Sequence, residues 1–260
     1  MFYNYMMFFL MVPLCVFAGV VDHLKPVLNK GTDHTIRNVD FIYMINLDKR
    51  PEKFERSSGQ LRHFGVKPYR FSAVNGWELS FETMNDLGVK YEPWMKSGLW
   101  GTCYLPEDQG KPHHEIMHVQ GRNYFSHCMS RGAIGIVLSH LSILKDAIDS
   151  GYKTIWVMED DVEVIQNPNM VSDLIDKLDA QVGKGKWDVL FTDRDTKNRE
   201  GKHVPCLGYA KRPNFDPKFI ERFSIRKDIS REFRKIGARY GAYSMIVRRS
   251  GMKKILSFIE

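Results

Sequence analysis

Short apolar runs of strand length alternate along this chain with amphipathic segments of helix length. Strand-like runs that are apolar throughout, rather than at every second residue, are typical of strands buried on both faces. We therefore predict an α/β fold with a mainly parallel sheet and helices on both faces. The predicted strands are DFIYMINL (40–47), YRFSAV (69–74), KTIWVM (153–158), WDVLF (187–191) and AYSMIV (242–247).

The segments between these strands carry helix signals. Pro51 opens a predicted helix that Gly65 stops, since proline suits the first turn and glycine the position past the last turn. Further helices are predicted over 132–151, 169–183 and 250–259. In a sheet of this kind, ligands bind beyond the carboxyl ends of the strands. Those ends are where functional residues are expected.

Composition excludes several classes of protein. With 260 residues and 43% hydrophobic content, the chain can bury a sizeable core and is not predicted to be disordered. Its four cysteines, at 15, 103, 128 and 206, show no C-x-x-C spacing. This pattern favours neither a disulfide framework nor a zinc knuckle.

An uncharged apolar leader occupies residues 5–21. It has the length of a signal-peptide core, although no Lys or Arg precedes it. We predict that 1–25 is a signal peptide or membrane anchor and that 38–260 is one domain. The leader predicts a membrane-associated or secretory-pathway location, with association at the cytosolic face of a membrane as the alternative.

The net charge of +7 is concentrated in residues 211–254, which hold 14 Lys and Arg against 4 Asp and Glu. A face this basic attracts anions such as nucleotides, acidic glycans or anionic lipids, and it fits association with a membrane surface. A solvated basic surface is an equally good interpretation. Arg248 and Arg249 directly follow the last predicted strand, so we expect at least one of them to contact a bound diphosphate or an anionic acceptor if that strand is parallel.

The strongest chemical signal is EDDVE, which directly follows an apolar strand. In extended backbone, Glu159 and Asp161 would project to the same side. Adjacent carboxylates repel each other, so such a cluster favours a neutralising cation. Mg²⁺ and Mn²⁺ prefer oxygen ligands and can bridge to a diphosphate. The sequence thus predicts a divalent cation on Glu159 and Asp161, with a solvated acidic turn as the alternative.

A second acidic stretch, FTDRDT, follows the strand WDVLF. A reaction at an acceptor hydroxyl needs a base, and a carboxylate within hydrogen-bond reach is the simplest one. Asp193 and Asp195 are the candidates. As an acid-x-acid pair they could instead bind a metal, or they could form only a charged turn.

The run HEIMH (114–118) resembles the zinc-protease motif, which needs a helix to bring two imidazoles one turn apart. Tyr124 stands where the longer motif has its third ligand, and Pro112 and Gly121 leave room for a short helix only. A structural segment with surface histidines is the favoured interpretation. Recognition of an acceptor is another, because aromatic residues that sugars could stack on lie nearby: Tyr91, Trp94, Trp100 and Tyr104.

Several blocks together resemble glycosyltransferase family 25, which includes lipooligosaccharide and collagen galactosyltransferases. They occur in the family's order over about 40–260. The most specific block runs from the glycine-rich helix start through Ser139, His140 and the apolar strand to EDDV. The blocks are FIYMINLDKRPEKFERSSGQL, RFSAVNG, GAIGIVLSHLSILKDAIDSGYKTIWVMEDDVEV, WDVLF and GAYSMIVRRSGMKKIL.

The resemblance implies a GT-A type nucleotide-sugar fold. It also implies an inverting, Mn²⁺- or Mg²⁺-assisted transfer of a hexose, galactose in this group, from a UDP-sugar to a glycan or lipooligosaccharide-type acceptor. Glu159 and Asp161 match the family's metal motif. His140 matches a family position too, but we interpret it as a core histidine and assign it no base role. Matched donor-binding residues are Asn46, Leu47, Asp48, Arg50, Arg56, Asn75, Gly76, Ser139 and Asp160.

Two alternatives to an active transferase follow from the same residues. The family usually continues past the last helix to a further acidic segment, so we expect the domain to be truncated at Glu260. Loss of that segment would favour a non-catalytic protein that binds glycans or nucleic acid through its basic face, although no nucleic-acid partner is expected. A zinc protease is the least favoured function.

Overall fold

The computed structural model describes residues 19–95, 100–194, 196–204 and 224–259. The leader up to residue 18, Asp195 and residues 211–223 of the basic segment lie outside the described residues. In the described part of the chain, no helix is both long and apolar enough to cross a membrane.

The strands and helices alternate as expected for an α/β protein. The helices are α1 (Pro51–Arg62), α2 (Phe81–Leu87), α3 (Arg131–Asp149), α4 (Met170–Val182) and α5 (Arg249–Ile259). The strands are β1 (Phe41–Asn46), β2 (Tyr69–Ser72), β3 (Val89–Lys90), β4 (Trp100–Cys103), β5 (His113–Ile116), β6 (Asn123–Ser126), β7 (Thr154–Glu159), β8 (Val189–Phe191), β9 (Arg226–Asp228), β10 (Arg234–Ile236) and β11 (Ser244–Arg248).

The main sheet has five strands in the order β2-β1-β7-β11-β8. Strand β1 pairs in parallel with β2 and β7, whereas β11 runs antiparallel to both of its neighbours, β7 and β8. The predicted α/β class is therefore confirmed, and the sheet is mixed: β2, β1, β7 and β8 run in one direction and β11 runs against them. An apolar strand is buried on both faces whichever way it runs, so its composition does not reveal its direction.

Helices cover both faces of this sheet, as predicted. Ile42 and Met44 of β1 pack in a cluster with residues of α1 and α4. Tyr43 and Ile45, the alternate residues, pack with residues of α3 and α5. Successive side chains of a strand point to opposite faces, so one fully buried strand joins the two halves of the core.

The segment between α2 and α3 carries a second, antiparallel sheet in the order β3-β6-β4-β5. Tyr91 and Tyr124 form its small core together with Cys103. Tyr104 packs under α3 instead, with Ile134 and Leu138. Of the four aromatic residues considered for sugar stacking, Tyr91 and Tyr104 are thus buried, whereas the side chains of Trp94 and Trp100 are exposed.

Residues 19–34, here called the strap, pack along the domain ahead of β1. The amide of Lys25 donates to Ser142 Oγ at 2.8 Å, and Lys30 Nζ pairs with Asp146 Oδ1 at 2.7 Å, both on α3. Tyr69 of β2 donates to the carbonyl of Leu28 at 2.5 Å. The strap is therefore fastened to the folded domain from both α3 and β2.

Candidate active site

The carboxyl ends of β2, β1 and β7 meet in a network of polar side chains centred on Asn46. Its buried amide donates to Asp160 Oδ2 at 2.6 Å and to the carbonyl of Arg50 at 2.8 Å. Its carbonyl oxygen accepts from Arg70 Nε at 2.7 Å. Asn46 therefore joins the loop after β1 to the acidic turn after β7, and both of its side-chain polar atoms are engaged.

The network continues from Arg70 to the strap. Asp48 Oδ1 lies 3.5 Å from Arg70 Nη2, and Asp48 Oδ2 accepts from Ser72 Oγ at 2.5 Å. Ser72 Oγ in turn accepts from Lys25 Nζ at 2.6 Å. The Asp48 side chain is 62% exposed despite these contacts, so its carboxylate has lone pairs available to a ligand.

The three acidic residues at the end of β7, 159–161, have different side-chain neighbours. Glu159 ends the strand, and the next two residues form a turn, so the extended backbone that would align Glu159 with Asp161 is absent there. Glu159 Oε1 lies 3.8 Å from His140 Nε2, and Asp160 bonds Asn46. Asp161 is exposed and makes no hydrogen bond or ion pair to any described residue. The premise that strand geometry aligns the pair is therefore wrong.

Glu159 and Asp161 nevertheless supply donors of the right chemistry for Mg²⁺ or Mn²⁺. No group of three or more His, Cys, Asp or Glu side chains suited to a metal occurs among the described residues. Mg²⁺ in nucleotide sites often takes only one or two carboxylates and completes its shell with phosphate oxygens and water. The acidic turn fits a cation shared with a diphosphate, and it does not fit a cage made of protein ligands alone.

A cavity of about 450 Å³ opens at the ends of β1 and β2. Two predicted donor residues besides Asp48 line it, Leu47 and Asn75. Asn75 Oδ1 accepts from the amide of Trp77 at 3.2 Å, which shapes the loop after β2. The other lining residues come from this loop, the loop after β1 and the strap: Asp22, His23, Leu24, Lys25, Pro26, Lys49, Ala73, Val74 and Glu78.

Gly76 and Ser139 do not line that cavity but pack at the contact between α3 and the loop after β2. Ser139 is fully buried, accepts from the amide of Val74 and donates to the carbonyl of Gly135, both at 2.8 Å. A Cβ on Gly76 would lie 1.7 Å from the carbonyl oxygen of Arg131. The two predicted donor residues therefore hold the loop after β2 against α3, and their observed contacts are to protein.

Arg50 and Arg56 are exposed near the other end of the network. Arg50 precedes the first turn of α1 and lies 3.9 Å from Glu52, while Arg56 projects from the same helix. Ser57 of α1 donates to the carbonyl of Asp160 at 2.8 Å. This helix thus fixes the acidic turn and leaves two guanidinium groups accessible to an anion.

A second cavity, of about 530 Å³, lies at the ends of β7 and β8. Arg239 lines it, is almost fully buried, and pairs with the carboxylate of Asp193. Asp193 Oδ1 is buried and has no hydrogen-bond partner among the described residues. Its fellow candidate, Asp195, lies outside the described residues.

His140 also lines the second cavity, next to Glu159. Both ring nitrogens are buried, and neither has a hydrogen-bond partner in the described part of the chain. Buried polar atoms are normally satisfied, so His140 does not behave as an ordinary core histidine. Its Nε2 is the nearest described basic group to the Glu159 carboxylate.

A protein-family match covers the strand ends at which these residues lie. The model of Glycosyltransferase family 25 (LPS biosynthesis protein) matches residues 39–259. This chain belongs to glycosyltransferase family 25. The match contains the strand ends at both cavities and the whole acidic turn, whereas the whole strap precedes it.

Curated relatives of this family 25 chain are distant and longer. A glycosyltransferase 25 family member of Drosophila pseudoobscura pseudoobscura is 23% identical over 70% of this chain and 25% of its own length. Procollagen galactosyltransferase 1 of Danio rerio is 24% identical over 65% of this chain and 24% of its own length. Inactive glycosyltransferase 25 family member 3 of Homo sapiens is 26% identical over 62% of this chain and 23% of its own length. The matched region spans about a quarter of these relatives' length.

The expected contact between Arg248 and a diphosphate depended on a parallel last strand. In this family 25 chain β11 is antiparallel, and Arg248 pairs with Thr154 at the beginning of β7. Arg248 therefore lies at the opposite end of the strands from the acidic turn. There it bonds Asp179 at 2.6 Å and stacks 4.0 Å over Trp187, so we withdraw it from the donor site.

The HEIMH run does not form the helix that a zinc-protease site requires. Residues 113–116 form β5, in which exposed and half-buried residues alternate. Glu115 is bonded by Tyr124 and by Arg122 Nη1 at 2.6 Å. Burial alone would raise the pKa of Glu115, but these hydrogen bonds outweigh it and lower that pKa. A carboxylate held in this way serves the small sheet rather than a metal-bound water.

Replacing both His114 and His118 by Ala should leave zinc affinity unchanged and should remove no peptidase activity. Residues 113–116 form a strand and a bend follows at Met117, so the two imidazoles do not lie one helical turn apart as the zinc-protease site requires. Zinc titration and a peptidase assay on parent and double variant test this. Tight zinc binding that the double variant loses would restore the protease hypothesis.

Proposed function

We propose that this chain binds a UDP-sugar and transfers its hexose, galactose in our proposal, to a hydroxyl of a glycan or glycolipid acceptor, with inversion. Family membership supports the reaction class. The observation that carries the proposal is the bond between Asn46 and Asp160, because it ties the loop beside the first cavity to the acidic turn beside the second. A donor needs both: one cavity for its nucleoside and another for its hexose.

In this proposal the uridine occupies the first cavity, beside Asp48 and Asn75. The diphosphate lies over the acidic turn, and the hexose points into the second cavity. Lys53 Nζ, 4.0 Å from Asp160 Oδ1, and the exposed Arg50 and Arg56 supply positive charge on the diphosphate side. Positive groups placed where the leaving diphosphate gains charge favour its departure.

Glu159 and Asp161 would hold the Mn²⁺ or Mg²⁺ ion together with diphosphate oxygens. When bound, such an ion acts as a Lewis acid on the leaving group. Asp193 is our candidate for accepting the acceptor's proton, with Asp195 as its alternative. Arg239 holds one oxygen of Asp193 beside the second cavity and leaves Oδ1 without a described partner.

The leader supports a further part of the proposal, which concerns location. We propose that the leader directs the chain to a membrane or to the secretory pathway, and that residues 19–25, which pack on the domain as part of the strap, remain attached to it. A glycolipid acceptor would then lie at the membrane surface, where the basic segment 211–254 also favours association with anionic lipids. Fractionation of cells that produce the full chain, with carbonate extraction of membranes, tests this part.

A second candidate function is a non-catalytic sugar-nucleotide or glycan-binding protein. Two observations favour it. Curated relatives from Homo sapiens and Mus musculus are named inactive family members. In addition, Glu159, Asp160 and Asp161 of this chain do not converge on one point.

Calorimetric titration with UDP, UDP-galactose and UDP-glucose, with and without Mn²⁺, tests the proposal, and GDP serves as the control nucleotide. We expect Mn²⁺-dependent binding of UDP-sugars, and release of UDP when glycan acceptors are added. Binding without turnover on any acceptor would favour the second candidate. Equal affinity for UDP and GDP, or no nucleotide binding, would contradict the proposed donor.

A further inference from the structure

The wall of the first cavity includes residues from outside the matched family region. Five strap residues line it, from Asp22 to Pro26, whereas the family match begins at residue 39. The remaining lining residues come from the loops after β1 and β2, which do lie within the match. A part of the candidate donor site is therefore supplied by a segment that the family comparison does not cover.

The strap is held in this position by contacts with α2 and α3. Val20 and Leu24 pack against the cluster that contains Met84 of α2. His23 Nε2 lies 3.1 Å from Asp86 of the same helix, and the amide of Lys25 donates to Ser142 of α3. These contacts fix the position of the Lys25 backbone and therefore restrict where its side chain can reach.

The Lys25 ammonium lies at the end of β2. It donates to Ser72 Oγ at 2.6 Å, and the carbonyl of Ala73 lies 3.5 Å away. Because Lys25 takes a lone pair of Ser72 Oγ, the hydroxyl hydrogen is free to point at Asp48 Oδ2, 2.5 Å away. Lys25 Nζ is itself 3.9 Å from that carboxylate oxygen.

Asp48 is opposed by cations from two directions. Arg70 lies on the Oδ1 side at 3.5 Å, while Lys25 and Ser72 lie on the Oδ2 side. An ionised carboxylate has about four lone-pair sites, so these contacts leave room for hydroxyl groups of a ligand. The vicinal hydroxyls of a ribose are donors of this kind, and a carboxylate at a strand end is a known way of binding them.

We propose that Lys25 is a positioning residue of the donor site, which acts through Ser72 to orient the Asp48 carboxylate toward the ribose hydroxyls of a nucleoside diphosphate sugar. This inference rests on the proposed function. Its new content is that the strap, ahead of the matched domain, belongs to the donor site. Removal of the ammonium frees Ser72 to turn away and leaves Asp48 with Arg70 as its sole described cation within 4.0 Å.

Titration of UDP in the presence of Mn²⁺ against Lys25→Met tests the inference, with Lys30→Met as the matched control. Lys30 is a lysine of the same strap that bonds Asp146 and Ser150 and does not line the cavity. We expect Lys25→Met to weaken UDP binding about tenfold, the order of one charge-assisted hydrogen bond. Lys30→Met should bind UDP as the parent does, even where thermal denaturation shows that both variants lose stability.

Three further variants separate positioning from general damage to the fold. Lys25→Arg should recover most of the affinity, and Ser72→Ala should reproduce the loss seen in Lys25→Met. Asp48→Asn combined with Lys25→Met should bind UDP no more weakly than Asp48→Asn alone, because both changes break one chain of contacts. Additive losses in the double variant would overturn the positioning role.

Other outcomes are equally informative. Parent-like or tighter UDP binding by Lys25→Met, or by Ser72→Ala if the lysine variant fails to fold, would overturn the inference and leave the proposed function intact. An equal loss in Lys30→Met would show that the strap acts only through stability, which also overturns it. Failure of the parent itself to bind UDP would overturn the proposed function first, and the inference with it.

Discussion

Asp161→Ala is expected to abolish the Mn²⁺-dependent part of UDP binding and to leave the fold intact. Asp161 is exposed and has no described hydrogen-bond or ion-pair partner, so its loss removes no observed contact within the domain. It also relieves repulsion with the neighbouring carboxylates. We expect the free energy of unfolding to change by no more than about 0.5 kcal/mol, as is usual for exposed positions.

Calorimetry with and without Mn²⁺ on the parent and on Asp161→Ala checks this expectation, and urea denaturation checks the fold. Glu163→Ala is the matched control, because Glu163 is an exposed carboxylate two residues further along the same segment. It should bind UDP and Mn²⁺ as the parent does. Unchanged UDP affinity in Asp161→Ala at saturating Mn²⁺ would remove Asp161 from the site.

Gly76→Ala is expected to cause the largest loss of stability of any substitution considered for this protein. The added Cβ would lie 1.7 Å from the Arg131 carbonyl oxygen and 3.0 Å from the amide of Gly135. Both neighbours are backbone atoms of α3, which cannot turn aside as a flexible side chain can. Overpacking typically costs 1–3 kcal/mol, and we expect about 3 kcal/mol or more for this clash.

Urea denaturation followed by circular dichroism measures that loss, and Gly59→Ala is the control. A Cβ on Gly59 meets only the end of the flexible Arg62 side chain, at 3.7 Å, and alanine favours the helix by up to about 1 kcal/mol. Gly59→Ala should therefore be neutral or stabilising. If Gly76→Ala were as stable as the parent and had lost only UDP binding, Gly76 would contact the donor rather than pack the loop.

The main elements of the fold were accessible from the sequence because their signals are local. The apolar runs of β1 and β7 require burial on both faces, and Pro51 and Gly65 bracket a helix that is observed as α1. Because β1 and β7 pair in parallel, residues predicted separately at their ends, Asn46 and Asp160, come within 2.6 Å. This part of the site could be predicted from strand ends alone.

Strand direction and side-chain partners, in contrast, depend on tertiary structure. The composition of β11 suits either direction. Because β11 runs antiparallel to β7, Arg248 lies at the opposite end of the strands from the acidic turn. HEIMH has helical spacing as a string of letters, but a ladder of hydrogen bonds with β4 makes its first three residues, 114–116, part of a strand. In both cases the deciding contacts come from neighbouring strands, which a local pattern does not contain.

By itself, the sequence determined the α/β class, the family and the strand ends at which polar residues collect, since periodicity and chain punctuation record which segments are buried. Only the tertiary structure decided what those polar residues do. It turned the backbone after Glu159 and thereby separated three adjacent carboxylates. It also brought Lys25 of the strap to Ser72, 47 residues away, because hydrogen bonds reach only about 3 Å and form where folding places donor beside acceptor.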